Sequence, residues 1–466
     1  MSPIISSLEN RNTVVLGLGL TGISLARHLR SRGARVRVAD TRATPPYRED
    51  LRAIASGIPL VTGAFTSETF EDAELIAISP GIPREHPAIV EAVARGAEIV
   101  GDVELFARAL PAEQKVLAVT GSNGKTTVTA LAGALCRAAG LSTVVAGNIG
   151  DAVLDAIAAI DGGASWPDVF VLELSSFQLE STSTLAPIAA TVLNVTENHL
   201  DRYDSMEAYA AAKARIFHGS GIQVLNRNDP RSLAMRLPER VVETFGAGLP
   251  ALEEQWGLVR PGNHGGATWL ARGGQLLLPA ADLRLVGRHN ALNALAALAL
   301  VAAVAPIRKN ILGALAAFEG LPHRMQRIAD AGGILFVNDS KGTTVAATSV
   351  ALEGLGRPAV LIAGGDGKGQ EFRSLKPAVD AHCRAVLLIG RDAAAIERSL
   401  AGSSAHIERC GTLEAAAQRA FTIARQGDAV LLSPACASLD QFTSYVARGE
   451  AFAALVEAHL GEAAHA

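Results

Sequence analysis

Aromatic residues make up only 4% of the 466-residue chain, and cysteine occurs just four times. So few aromatics beside 45 glycines favour helix–sheet layers with tight loops over a β-sandwich. Cys136, Cys383, Cys410 and Cys436 form no CxxC pair and no zinc-like spacing. A disulfide framework and a structural metal centre are therefore not expected, and reduced thiols are. Positive charge is not in excess: 42 Lys+Arg stand against 46 Asp+Glu, a formal net charge of −4. That balance excludes a generally basic surface coating nucleic acid, although local phosphate sites remain open. Long apolar runs are missing too. Ala294 to Ala305 is too short and too alanine-rich to span a bilayer, and Met1 to Asn10 carry no basic-then-apolar leader pattern. A soluble cytoplasmic protein with no nucleic acid partner and no membrane span is expected.

What is present suffices for folding. The hydrophobic fraction is 49%, and at roughly 100–200 residues per domain the length predicts about three domains. From Thr13 the order is strand (Val14 to Leu16), glycine turn, helix (Ile23 to Ser31), strand (Val36 to Ala39), and AEIVGD closes the region. A second unit follows Pro111 to Gln114: VLAVT, GSNGKTT, then the helical VTALAGALCRAAG. DVFVLELSS and AATVLNVTENH read as buried strands with polar C-terminal ends, where open α/β sheets hold ligands. Asp229 to Leu283 reads as strands and loops of lower regularity, and HNALNALAALALVAAVA as a strong helix. The third unit starts near Gly320 and alternates again, with ILFVND, PAVLIAGG, AVLLIG and AVLLSPA as strands. A last helix near Glu450 to Leu460 is expected to fray into a small-residue tail. The fold class is therefore α/β with three domains: 1–102 and 320–466 Rossmann-like, and 103–319 a central P-loop-type domain.

Gly17-Leu18-Gly19-Leu20-Thr21-Gly22 matches GxGxxG, with Asp40 ending the next strand where a ribose-binding acid would lie, and Thr41 and Arg42 beside it. This turn also serves any ligand whose phosphate approaches a helix N-terminus, so a NAD-dependent dehydrogenase and a non-redox nucleotide site both fit. The second loop carries more. Gly121-Ser122-Asn123-Gly124-Lys125-Thr126-Thr127 has the strand–loop–helix setting of a phosphate loop, with Val119 where the full pattern has glycine. Its amides and Lys125 suit ATP, and a threonine hydroxyl suits Mg²⁺. Glu173 and His199 end two further strands and could hold a metal near a triphosphate. The bland readings are a capping carboxylate, a half-buried histidine and, for Lys213 in AAKARIF, a solvated lysine. In the third unit NDSKGTT, GGDGKGQEF and SPACASLDQF place Lys341, Lys368, hydroxyls and acids at strand ends, a set suited to a dianionic substrate or to ordinary βα turns.

The ordered motifs GLGLTG, ADTR, TGSNGKTT, ELSSFQLE, LNVTENHLDRY, AAKARIF, GRHNALNALAALAL, GLPHRMQ, NDSKGTT, GGDGKGQEF and SPACASLDQF resemble the Mur ligases from about residue 13 to 455. The resemblance implies an ATP-dependent carboxylate–amine ligase of cytoplasmic peptidoglycan precursor synthesis. GLGLTG, ADTR and SPACASLDQF point to D-glutamate as the amine and UDP-MurNAc-L-Ala as the acceptor. Other Mur ligases and the folylpolyglutamate synthetases are the nearest alternatives. The resemblance also implies ATP and two Mg²⁺ ions, no redox cofactor, and a monomer.

By the same resemblance, Lys125 holds the β/γ-phosphates within the loop Gly121, Ser122, Asn123, Gly124, Thr126 and Thr127. Thr126 or Thr127, Glu173, His199 and a carbamylated Lys213 serve the metals. Asn290, Asn293, Arg324 and Asp339 reach the nucleotide. Leu20, Thr21, Asp40, Thr41, Arg42, Ser79, Pro80, Gly81, Asn148 and Gln178 line the UDP-sugar. Thr343, Lys368, Ser438 and Leu439 take D-glutamate, with Lys341 near the reacting carboxylates. Asn198 stands where the family usually has Asp, Gly342 and Thr344 where Ala and Asn are more usual, and Tyr445 where some relatives carry Phe.

Overall fold

Short runs of aliphatic residues, each closed by a glycine or polar turn, build the first sheet. The computed structural model describes residues 8–54, 57–197, 202–262 and 266–465. In it β1 (Asn12–Leu16), β2 (Arg35–Asp40), β3 (Leu60–Thr62), β4 (Leu75–Ile78) and β5 (Glu98–Val100) form a parallel sheet in the order β3-β2-β1-β4-β5. The order reverses between β1 and β4, which opens a crevice at their C-terminal ends. Helix Leu20–Ser31 covers one face with Ile23, Leu25, Ala26 and Leu29, and Phe65, Phe70 and Ile89 cover the other.

The central parallel strands are β6 (Lys115–Thr120), β7 (Thr143–Gly147), β8 (Val169–Glu173), β9 (Ala189–Val192), β10 (Ile222–Asn226) and β11 (Val242–Ala247), in the order β11-β10-β9-β6-β8-β7. Their core is continuous with that of the first domain. Phe106 meets Phe170 edge-on at 5.1 Å between centroids, within one cluster that also holds Leu25, Leu29, Leu172 and Tyr209. By contact the chain groups into two compact units. One comprises Met1–Ala247, Leu252–Trp256 and Ala296–Ile311, and the other Gly248–Ala251, Gly257–Leu295 and Leu312–Ala466. The chain passes between them five times, including once within β12 (Gln255–Val259), once within helix Arg288–Ala302 and once within helix Lys309–Ala317. The stretch expected to be irregular is better ordered than its glycines and prolines suggest. β13 (Trp269–Arg272) and β14 (Gln275–Pro279) pair as an antiparallel hairpin, with glycines confined to the turn.

The third sheet contains β15 (Gln326–Ala331), β16 (Ile334–Asn338), β17 (Ala359–Gly364), β18 (Cys383–Ile389), β19 (His406–Gly411) and β20 (Ala429–Leu432), in the order β15-β16-β20-β17-β18-β19. β15 alone runs antiparallel. β15 and β19 lie at the edges, where charged residues blunt further pairing and hide the strand pattern. Apolar clusters fill both faces of the sheet. The last helix extends over Tyr445–His465, so the expected fraying from about Leu460 is corrected: alanine and glutamate in the tail favour helix. All four cysteines are thiols. Among the described residues no helix is long and apolar enough to cross a membrane.

Candidate active site

The phosphate loop joins β6 to helix Lys125–Ala138, and Gly124, at φ 83°, turns the chain into that helix. The end of β9 clamps it. Asn123 N donates to Asn194 Oδ1 at 2.8 Å, and Asn194 Nδ2 returns to Asn123 O at 3.1 Å. Ser122 Oγ donates to Thr196 O at 3.0 Å and accepts from Thr196 N at 3.0 Å. The Lys125 ammonium donates to Gly121 O at 2.9 Å and Ser122 O at 3.0 Å, inside the bowl its own loop forms.

Lys213 reaches the same loop from helix Met206–Ala214. It is 1% exposed, and its Nζ donates to Gly121 O at 3.0 Å while lying 4.5 Å over the Tyr209 ring. The solvated-lysine reading is thus corrected: the apolar residues of this helix turn Lys213 inward. Burial, and secondarily the Lys125 charge, pull its amine down from 10.5 to about 6. At neutral pH it is a neutral nucleophile in a dry setting.

Glu173 ends β8, in register with Val119 of β6 and Gly147 of β7. It is 1% exposed; Oε1 accepts from Asn148 Nδ2 at 2.8 Å, while Oε2 is buried with no hydrogen-bond partner. An orphaned carboxylate oxygen beside a phosphate loop suits a divalent cation. Among the described residues no cluster of three His, Cys, Asp or Glu could hold a metal, and His199 and Asn198 lie outside the described residues. Gly147, at φ 110°, keeps this corner closed, because a Cβ there would lie 2.3 Å from Glu173 O. Gly147→Ala is expected to destabilise the fold by about 2–3 kcal/mol, measured by denaturant unfolding. An unchanged midpoint would show that the corner yields freely.

In the first domain Gly22 lets helix and strand meet, since a Cβ there would lie 1.8 Å from Gly17 O, and Gly19 faces open space. Asp40 is buried, and both its oxygens are engaged. Oδ2 accepts from Leu18 N at 2.7 Å and Arg42 Nη2 at 2.6 Å, and Oδ1 from Arg42 N and Nε at 2.8 Å. The Arg42 guanidinium holds this carboxyl at about 2. Asp40 therefore orients the loop and the exposed Arg42. Thr41 and Gly81 are exposed, Thr21 and Pro80 half-buried, and Ser79 Oγ donates to Gly17 O at 3.3 Å. Leu20 is 49% exposed at the mouth of the turn. Gln178 is buried, its Oε1 accepting from Ser175 N and its Nε2 donating to Asp102 Oδ2. That places it within the framework joining the first two domains.

In the other body, Asp339 is buried between Ser433 Oγ (2.7 Å) and Met325 N (3.2 Å), and burial pushes its carboxyl up to about 7. Arg324 is half-buried, close enough to oppose that rise electrostatically. The Lys341 ammonium lies 3.9 Å over the Tyr445 ring. Thr343 is half-buried beside it, and Thr344 caps helix Val345–Leu355 through Ala347 N. Lys368, at φ 50°, is exposed on a loop whose Asp366 accepts from its amide. Ser438 is buried, and Leu439 is 63% exposed. Asn290 Nδ2 donates to Val286 O, and Asn293 Nδ2 to Asn290 Oδ1. The motifs did not single out Asn194, Thr196, Tyr209, Ser433 or Arg448. Of these, Asn194 and Thr196 were visible as polar residues ending a buried strand; the rest carried no local signal.

A phosphate loop on a parallel sheet, a buried neutral lysine against it, and α/β domains before and after it in the chain define a P-loop-type nucleotide enzyme. Known families make this specific. Residues 11–101 match the Mur ligase MurD-like N-terminal domain, 119–301 the Mur ligase middle domain, and 323–436 the Mur ligase glutamate ligase domain. The chain belongs to the Mur ligase family. It is 52% identical over 445 residues to the UDP-N-acetylmuramoylalanine–D-glutamate ligase of Methylobacillus flagellatus, covering 96% of each chain. It is 51% identical over 460 residues to the ligase of the same name from Thiobacillus denitrificans, again covering 96% of each. The crystal structure of the UDP-N-acetylmuramate–alanine ligase from Thermotoga maritima shares the fold, with 20% identity, TM-score 0.53, and 97% and 99% of the two chains covered.

Proposed function

We propose that this chain joins D-glutamate to UDP-N-acetylmuramoyl-L-alanine, with ATP cleaved to ADP and phosphate, as a cytoplasmic monomer supplying peptidoglycan precursors. The carrying observation is the identity of about half the residues, over nearly the full length, to proteins named for that reaction. Residues 1–102 hold the UDP-sugar, 103–319 the ATP, and 320–466 the amino acid.

The chemistry explains the equipment. The alanyl carboxylate is a poor electrophile, since its leaving group would be oxide. Transfer of the γ-phosphoryl group makes the leaving group phosphate. The D-glutamate amine then attacks the carbonyl carbon, the C–O bond to phosphate breaks, and the ammonium proton is lost as the amide forms. Lys125 and the amides of Gly121 to Thr127 hold the polyphosphate and spread its charge. Asn290, Asn293, Arg324 and Asp339 bind the nucleotide; Thr343, Lys368, Ser438 and Leu439 bind D-glutamate, with Lys341 near the carboxylates. The buried amine of Lys213 adds through its lone pair to CO₂ and loses a proton, so a nitrogen site becomes a carbamate anion. Magnesium, when bound, neutralises phosphate and carboxylate oxygens during phosphoryl transfer. Thr126, Thr127, Glu173, His199 and carbamylated Lys213 are the residues to hold two such ions.

The test is phosphate release from ATP with all three substrates, with the product mass measured. Release that requires both D-glutamate and UDP-N-acetylmuramoyl-L-alanine is expected. A preference for L-lysine or diaminopimelate, or turnover of NAD(H), would overturn the reading.

A further inference from the structure

Arg448 is one of the largest fully buried side chains, 1% exposed near the start of helix Tyr445–His465. Its Nε donates to Ser340 Oγ at 3.0 Å, and its Nη2 to Ser340 O at 2.9 Å and Cys436 O at 3.1 Å. No carboxylate forms an ion pair with it among the described residues, and Asp440 favours its charge only at longer range. Keeping an unpaired guanidinium out of water is costly, so packing alone is a poor reason for an arginine here.

The position of that guanidinium suggests a reason. Ser340 lies in the loop after β16, which carries Lys341 and Thr343. Cys436 lies in the loop after β20, which carries Ser438 and Leu439. The loop after β17, which carries Lys368, approaches as well: a Cβ on Gly365 would lie 3.3 Å from Arg448 Nη1. That third loop is tied to the second, since Asp366 and Ala437 exchange two backbone hydrogen bonds of 2.9 Å. The same helix start holds the first loop twice more. Ser340 Oγ donates to Tyr445 O at 2.8 Å, and Asn338 Nδ2 donates to Gly449 O at 2.9 Å. Tyr445 in turn presents its ring to the Lys341 ammonium. One guanidinium thus sits where three strand-end loops meet, and each loop bears residues proposed for the amino acid.

We propose that Arg448 is the positioning residue of the amino-acid subsite: it braces the loops after β16 and β20, and through the latter the loop after β17, and holds a charge in no ion pair among the described residues beside a dianionic substrate. The inference rests on the D-glutamate reading above. Bracing needs the planar fork, which hydrogen-bonds three acceptors at once, whereas attraction of a dianion needs only the charge.

The experiment compares Arg448→Gln, Arg448→Lys and Ser340→Ala in steady-state kinetics, with KM measured separately for D-glutamate, ATP and the UDP-sugar substrate. Arg448→Gln is expected to raise KM for D-glutamate about thirtyfold or more, with the other two KM values within about twofold. Arg448→Lys should recover part of that loss, and Ser340→Ala should raise the same KM about threefold to fivefold. A uniform change in all three KM values, or a lowered melting temperature with KM for D-glutamate unchanged, would overturn the proposal and leave Arg448 structural. If Arg448→Gln does not fold, Ser340→Ala decides, and an unchanged KM for D-glutamate refutes the bracing. If the unmutated enzyme ligates a different amino acid, the functional reading fails instead, and the same comparison with that amino acid still tests Arg448.

Discussion

Replacing Lys213 with alanine is expected to lower the ligation rate about a thousandfold, the scale seen when a preorganised charge is removed from a transition state. The side chain is almost fully buried, bonded to the phosphate loop at Gly121 O, and neutral above about pH 6. On the proposed carbamate role, bicarbonate should not restore the alanine variant, whereas short carboxylates such as formate or acetate should rescue it in part. Lys213→Arg places a permanent cation there that cannot form the carbamate, and should be as inactive as the alanine variant. Wild-type turnover by Lys213→Ala without additives would refute the carbamate role. The pH dependence has a definite sign. Protonation removes the lone pair, so CO₂ uptake falls as pH drops through about 6. For the unmodified amine, stability rises with pH between about 6 and 10.5, because the unfolded chain binds the proton there and the folded chain does not.

The second large effect is expected from Lys125→Ala. Removal of a cation that spreads charge in phosphoryl transfer should lower turnover by roughly three orders of magnitude or more. The lysine also braces its loop through Gly121 O and Ser122 O, so a stability loss of about 1 kcal/mol should accompany it. Binding of the UDP-sugar substrate, measured by calorimetry, should change little, because eight of the ten residues proposed for it lie within 1–102. Turnover within tenfold of the unmutated enzyme would remove Lys125 from the proposed mechanism.

Much of this was legible in the chain. Strands β6, β8 and β9 announce themselves as short, mostly apolar runs, the pattern of a strand buried on both faces. The phosphate loop was readable because close approach of backbone to phosphate demands glycines at set spacing. The edge strands β15 and β19 were not, since their charged residues mask the alternation. The full length of the last helix was missed because small residues read alike as helix or tail.

Residue type and order by themselves determined the α/β class, the three domains and the phosphate loop, because period and spacing are local properties of a chain. Only the tertiary structure decided which charges stay charged. Lys213 looks like any surface lysine in AAKARIF until Tyr209 and Gly121 enclose it. Nothing in the order of residues says that Leu18 and Arg42 engage both oxygens of Asp40. Arg448 looks unremarkable until three loops close around it. Desolvation and hydrogen-bond saturation depend on neighbours far away in sequence.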